Sequence, residues 1–256
     1  MRRTWPGGLT VCVWGGILAC ACVVSDGEAQ ANSEKDIVET GRLVATLFDA
    51  SRVTVGLNQG LLNDPSKGNK GFTPEVFETQ LVELYKERMG IDLSDLQQAT
   101  IPEIAKPLLT RLLEESKKTI ASYQPVINMK GIKYKGLIPA TFGTETAKRF
   151  QNWSQVYLKQ TAPDHFLRNP KNKADAFEKN AMQSFATMDT HNPQALFSQT
   201  IPEENSVRVM LPLYYEPACL GCHGGPKGQR DISGYPKEGG KVGELAGAIS
   251  VKLPLP

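Results

Sequence analysis

The sequence predicts an α+β fold, with helices first and an antiparallel sheet behind them. Three observations predict it. Apolar residues recur at three- and four-residue spacings as far as Tyr123. After Pro125 the texture changes to short strand-like runs with turns between. No repeat or low-complexity tract interrupts either part, and helices followed by strands mark the α+β class.

Taken in order, residues 1–31 have the make-up of an export signal. Arg2 and Arg3 are followed by the apolar stretch Gly7–Val24, and a polar segment ends in Ala29-Gln30-Ala31, a small-x-small cleavage pattern. A mature domain of residues 32–256 is expected, soluble in the periplasm or otherwise exported. The alternative is a lipoprotein attached through Cys20 or Cys22, since Leu18-Ala19-Cys20 resembles a lipid-attachment box. A retained anchor is a third option, the apolar run being marginal for a span.

Residues 33–123 form the expected helical part. Ile37, Leu43, Val44, Leu47, Phe48, Val55 and Leu57 mark a first stripe, ended by the loop 63–71. Thr73 caps a second helix with Pro74 at its first position, carrying Phe77, Leu81, Leu84 and Tyr85. A short turn of helix is expected at Ser94–Gln98. The third long helix, Pro102–Tyr123, carries Leu108, Leu109, Leu112, Leu113 and Ile120, with a bend at Pro107. Residues 125–256 form the sheet-containing part. Strand signals fall within Gly131–Phe142 and at Gln155–Thr161, Ala195–Ile201, Val207–Tyr215 and Leu245–Leu253, with helices at Glu145–Asn152 and Ala174–Asp189.

Near the C-terminus stands Cys219-Leu220-Gly221-Cys222-His223. C-x-x-C-H is the pattern of covalent c-type haem attachment: two thiols form thioethers with one macrocycle, and the adjacent histidine is held where it can bind the iron. Cys219 and Cys222 are thus the attachment residues and His223 the proximal ligand, for one haem c. Two bland readings compete. A redox C-x-x-C opens a helix in a βαβ unit, whereas this motif follows the apolar run Val207–Tyr215 and precedes Gly224-Gly225-Pro226, a poor helix start. A zinc knuckle needs a second ligand pair, and Cys12, Cys20 and Cys22 all lie in the signal region.

Several stretches together resemble a family. They are Asn63-Asp64-Pro65 with Lys70-Gly71-Phe72, Tyr134–Ala140, Arg168-Asn169-Pro170-Lys171-Asn172, Asp175-Ala176-Phe177-Glu178 and the haem motif with Gly224. In that order they resemble a bacterial periplasmic haem-c domain with a PAS-like sheet, long catalogued as a domain of unknown function. It occurs alone and as the sensor region of histidine kinases and chemoreceptors. The resemblance covers most of residues 33–256 and implies a PAS-like antiparallel sheet and a redox or small-ligand sensing role. In one branch of that family a cysteine from the helical part ligates the iron's second face. Residues 33–123 hold no cysteine. The remaining candidates for the distal position are His165, His191, a methionine among Met89, Met129, Met182, Met188 and Met210, or no protein ligand.

Other residues near the motif have both a functional and an ordinary reading. Arg168 is suited to a haem propionate or to backbone carbonyls of its own loop. Lys227 and Arg230 flank the motif as propionate partners or as solvated loop charges. Of Tyr214 and Tyr215, alternation on a strand turns one inward. The net charge of +2 suggests no nucleic-acid partner. Three function classes follow: a sensor signalling through a membrane protein, an electron carrier with an exported redox partner, and, well behind, a peroxidase-type enzyme, with His165 or His191 as its acid-base group.

Overall fold

A computed structural model of the chain describes residues 26–185, 187–188 and 195–255. In chain order the elements are α1 (Asp26–Leu57), α2 (Gln59–Leu62), α3 (Pro74–Met89), α4 (Ala105–Ile127), α5 (Pro139–Ser154), β1 (Tyr157–Thr161), α6 (Ala176–Phe185), β2 (Phe197–Ile201), β3 (Ser206–Tyr214), α7 (Leu220–His223) and β4 (Leu245–Pro254). The strands form one antiparallel sheet in the order β1-β4-β3-β2, and the class is α+β as the sequence predicts.

The stripe on α1 is buried from Ile37 to Val55, because its apolar positions face both the sheet and the other helices. Leu57, the last member of the expected stripe, is 67% exposed instead. α1 lies on β3 at Gly41, where a Cβ would come 2.6 Å from Val209 Cγ2; only glycine lets the helix settle so close. α3 starts as expected, with the Thr73 hydroxyl accepting the Val76 amide at 3.3 Å and Pro74 at the first position. Its buried Phe77, Leu81 and Tyr85 each contribute about 1.5–3 kcal/mol by leaving water.

Period-two alternation divides the sheet between two cores. Val207, Val209, Ile249, Val251 and Leu253 join the large core under α1. Met210 and Ala248 point the other way, into a small core with Ala181, Met182 and Phe185 of α6. Arg208 and Ser250 share that second face and are buried there, so this side of the sheet carries a polar network.

Four expectations are corrected. The segment 131–142 is not a strand: Gly131 and Gly136 take φ of 79° and 77°, which turns the chain, and Pro139 then opens α5. α5 is longer than the expected Glu145–Asn152, so helices continue well past residue 123 and the strands begin only at Tyr157. α4 runs through Pro125, which sits in its last turns, and Pro107 falls in its first turn, where a missing amide costs no helical bond. The haem motif itself is helical: Pro217–Cys219 form a 3₁₀ turn that runs into α7. Cys20, Cys22 and the apolar stretch of the expected signal lie outside the described residues. Among the described residues no helix is long and apolar enough to cross a membrane.

Candidate haem site

Cys219, Cys222 and His223 all face one cavity of about 780 Å³, within the size range of small-molecule and cofactor sites. The helical turn that carries them presents the three side chains together. One wall is α1, from Arg42 to Leu57, joined by Arg88 and Met89 at the end of α3. The start of α5, the end of β1 and the loop 162–172 form a second wall. The end of β3 with Tyr215 and the haem motif close the third.

Both thiols are free and half-buried, and burial pushes their pKa values up. Cys12, Cys20 and Cys22 lie outside the described residues, and among the described residues no three His, Cys, Asp or Glu side chains are grouped to hold a metal ion. A thiol pair plus an adjacent imidazole on one cavity wall fits a covalently held haem, and Cys219, Cys222 and His223 would hold it.

His223 is fixed from three directions. Its Nδ1 lies 3.0 Å from Glu238 Oε2. Its ring stacks on Tyr215 at 5.3 Å between centroids and 29° between planes, and Tyr215 in turn takes Phe166 edge-on. Its carbonyl accepts the amides of Gly239 and Gly240 at 3.1 and 2.8 Å. Burial and the positive charge of Arg168 hold the imidazole below its ordinary pKa, against the pull of Glu238.

Arg168 joins these parts. Its Nε and Nη2 grip both oxygens of Glu238, Nη1 donates to Asp231 Oδ2 at 2.6 Å, and Nη2 also donates to the Cys222 carbonyl at 2.8 Å. The two carboxylates together raise its already high pKa further, more than burial lowers it. The guanidinium is therefore spent on protein carboxylates and on the motif's own backbone. Behind it, Asn169 Oδ1 accepts the Lys171 amide, and the Asn172 carbonyl accepts from Ala162 and Thr161, which ties the loop to the end of β1.

The wall supplied by α1 is strongly polar. Asp49 pairs with Arg52 and with Arg88, both at 2.9 Å, while Arg42 pairs with Glu39 and donates to Met89 Sδ at 3.5 Å. Met89 is the one methionine among the described residues in the cavity wall. Met182 and Met210 are buried between α6 and the sheet, Met188 packs on that cluster, and Met129 is exposed. His165 does not line the cavity; it is exposed, with its ring against Phe166 at 4.1 Å. His191 lies outside the described residues. Tyr214 and Tyr215 both line the cavity, Tyr215 buried. Arg230 is exposed and donates to the Gly234 carbonyl, and Lys227 is exposed. Glu238 and Asp231 are the residues that sequence reasoning missed: an acid beside Gly239-Gly240 has no local signature, and its role appears only through tertiary contact.

A family model described as Tll0287-like (Tll0287) matches residues 30–254. Among solved structures, that of the cyanobacterial haem protein Tll0287 is 21% identical, with a TM-score of 0.42, covering 60% of this chain and 96% of that one. No curated protein matches.

Proposed function

The chain belongs to the Tll0287-like family, and from that premise we propose that it is an exported single-haem protein acting as a redox or small-ligand sensor. One haem is held covalently by thioethers to Cys219 and Cys222, with His223 as the proximal ligand. The observation that carries this reading is the convergence of those three side chains on one wall of a single cavity. The family's name supports it too, for it is taken from a protein described as a haem protein. The bound group supplies an iron that changes oxidation state or accepts a small ligand. The chain's own part is to orient the imidazole through Glu238 and Tyr215 and to shield the site with Tyr215 and Phe166.

Sensing is favoured over electron carriage by the second side of the cavity. Its one sulfur ligand candidate among the described residues, Met89, already accepts from Arg42, and Arg52 and Arg88, each joined to Asp49 through Nη1, offer their other guanidinium N–H groups to an incoming ligand instead. A sensor built this way signals through a membrane protein. Carriage is the second reading, favoured by the rigid mounting of His223, which limits rearrangement when an electron moves.

The test is protein expressed with its own leader in a host that has haem-ligation machinery. Wild type is expected in the exported fraction, starting at Asn32, with haem staining that survives denaturation and the added mass of one haem. Cys219→Ala and Cys222→Ala weaken or abolish the covalent staining. Haem fully extracted from wild type by acid-acetone refutes the attachment, and a lipid on Cys20 or Cys22 moves the protein to a membrane surface.

A further inference from the structure

We propose that Glu238, clamped by Arg168, is a positioning residue for His223: its carboxylate accepts the Nδ1–H hydrogen bond, which leaves Nε2 as the strengthened donor for a haem iron. The inference rests on the reading of His223 as the proximal ligand. It concerns residues that no local motif marks: Glu238 lies 15 positions beyond His223, and Arg168 lies 70 positions before Glu238.

The geometry carries it. A histidine that binds metal through one nitrogen needs its tautomer set by a partner on the other, and a carboxylate there raises the donor strength of the free nitrogen more than a carbonyl does. Glu238 Oε2 stands 3.0 Å from Nδ1, and both of its oxygens are gripped by Arg168. The two-point grip holds the carboxylate against rotation, and its side chain is largely shielded from solvent, 13% exposed. Tyr215 fixes the ring plane and the amides of Gly239 and Gly240 fix the backbone, so the imidazole has one orientation left. Charge points the same way. Arg168 brings one positive charge to two carboxylates, Glu238 and Asp231, so the cluster behind the imidazole keeps one net negative charge. Asp231 is 1% exposed, and screening there is weak. A stronger imidazole donor backed by negative charge favours the more oxidised iron, and the reduction midpoint is held low.

The experiment compares holoprotein of wild type, Glu238→Gln, Glu238→Asp and Asp231→Asn by haem staining on denaturing gels and by spectroelectrochemical titration. Glu238→Gln should keep covalent haem and shift the midpoint upward. Glu238→Asp, which keeps the charge at shorter reach, should fall between it and wild type. Asp231→Asn removes the same charge without touching His223 and should shift the midpoint less. An unchanged midpoint in Glu238→Gln, or an equal shift in Asp231→Asn, overturns the positioning role. Should Glu238→Gln fail to hold haem, Glu238→Asp shifting more than Asp231→Asn upholds the role, and shifting no more overturns it. Wild type without covalent haem is a different failure, which refutes the functional reading and the inference together.

Discussion

Tyr215 is the residue on which the imidazole rests, and its own position depends on an atom that is missing. A Cβ at Gly240 would come 2.5 Å from the Tyr215 ring, and that ring cannot retreat because Phe166 and His223 hold its two sides. Gly240→Ala should therefore displace the ring, costing about 1–3 kcal/mol through overpacking. Its signature is a changed haem absorption spectrum with covalent staining intact, while an unchanged spectrum and melting temperature would show that the loop yields freely. At this scale the sequence was most legible where chemistry is contiguous. Cys219, Cys222 and His223 lie within five positions and their side chains reach one cavity, so the spacing alone announces them. Arg168 was visible as a cation near the site, but its partners were not. Glu238 and Asp231 come from a loop far along the chain, and no periodicity or spacing links them to it.

Among the elements, α6 shows how a stretch quoted for a resemblance acquires a physical cause. In Asp175-Ala176-Phe177-Glu178 the Asp175 carboxylate accepts the Glu178 amide at 2.8 Å, and the Glu178 carboxylate accepts the Asp175 amide at 3.0 Å. That is a reciprocal capping box, and it starts the helix. Glu178 does more, since its fully buried carboxylate also pairs with Lys159 and Arg208 beneath the sheet. Glu178→Ala leaves Arg208 buried among Phe177, Tyr157 and the strands with only the half-exposed Asp175 for charge balance. It should cost about 3–5 kcal/mol, measured by denaturant unfolding. Asp175→Ala loses mainly a cap and should cost about 1 kcal/mol. Asp175 also predicts a pH effect. Burial would raise its pKa, but the Glu178 amide and Arg208 outweigh that and hold it below its ordinary 3.8. A carboxylate depressed in the folded state stabilises the fold above its unfolded value, and that contribution disappears as pH falls through the lower folded value. Wild type should thus lose stability below about pH 4 more steeply than Asp175→Asn, and parallel acid-unfolding curves would refute it. The boundaries of α3, β1, β3 and β4 were legible because caps and alternation act locally. The run 131–142 misled because its apolar alternation is cut by two glycines in the left-handed region, and composition does not show φ.

Viewed as a whole molecule, the cavity lies where the helical layer meets the end of the sheet, and α1 serves both. One side of α1 packs across β3 and β4, while its later residues, Arg42 to Leu57, line the cavity opposite the loops that hold His223. With a haem held as proposed, a change on the side of the cavity facing α1 would meet a helix already wedged on the sheet, the coupling that a sensor requires and a carrier does not. The cations of that wall are paired, Arg52 and Arg88 with Asp49 and Arg42 with Glu39, and Met89 Sδ is weakly engaged by Arg42. A thioether held in this way is a replaceable ligand at most. We expect the reduced protein to bind carbon monoxide, with a clear change in its visible spectrum, and Met89→Leu to bind it at least as tightly. His223→Ala should collapse any low-spin spectrum even while Cys219 and Cys222 retain the haem. His165→Ala should leave both spectrum and carbon monoxide binding unchanged, because the ring packs outside the cavity on Phe166. A reduced spectrum that carbon monoxide does not alter would mean an iron firmly held on both sides. Sensing would then give way to electron carriage, and Met89→Leu would tell whether this sulfur is what closes the second position.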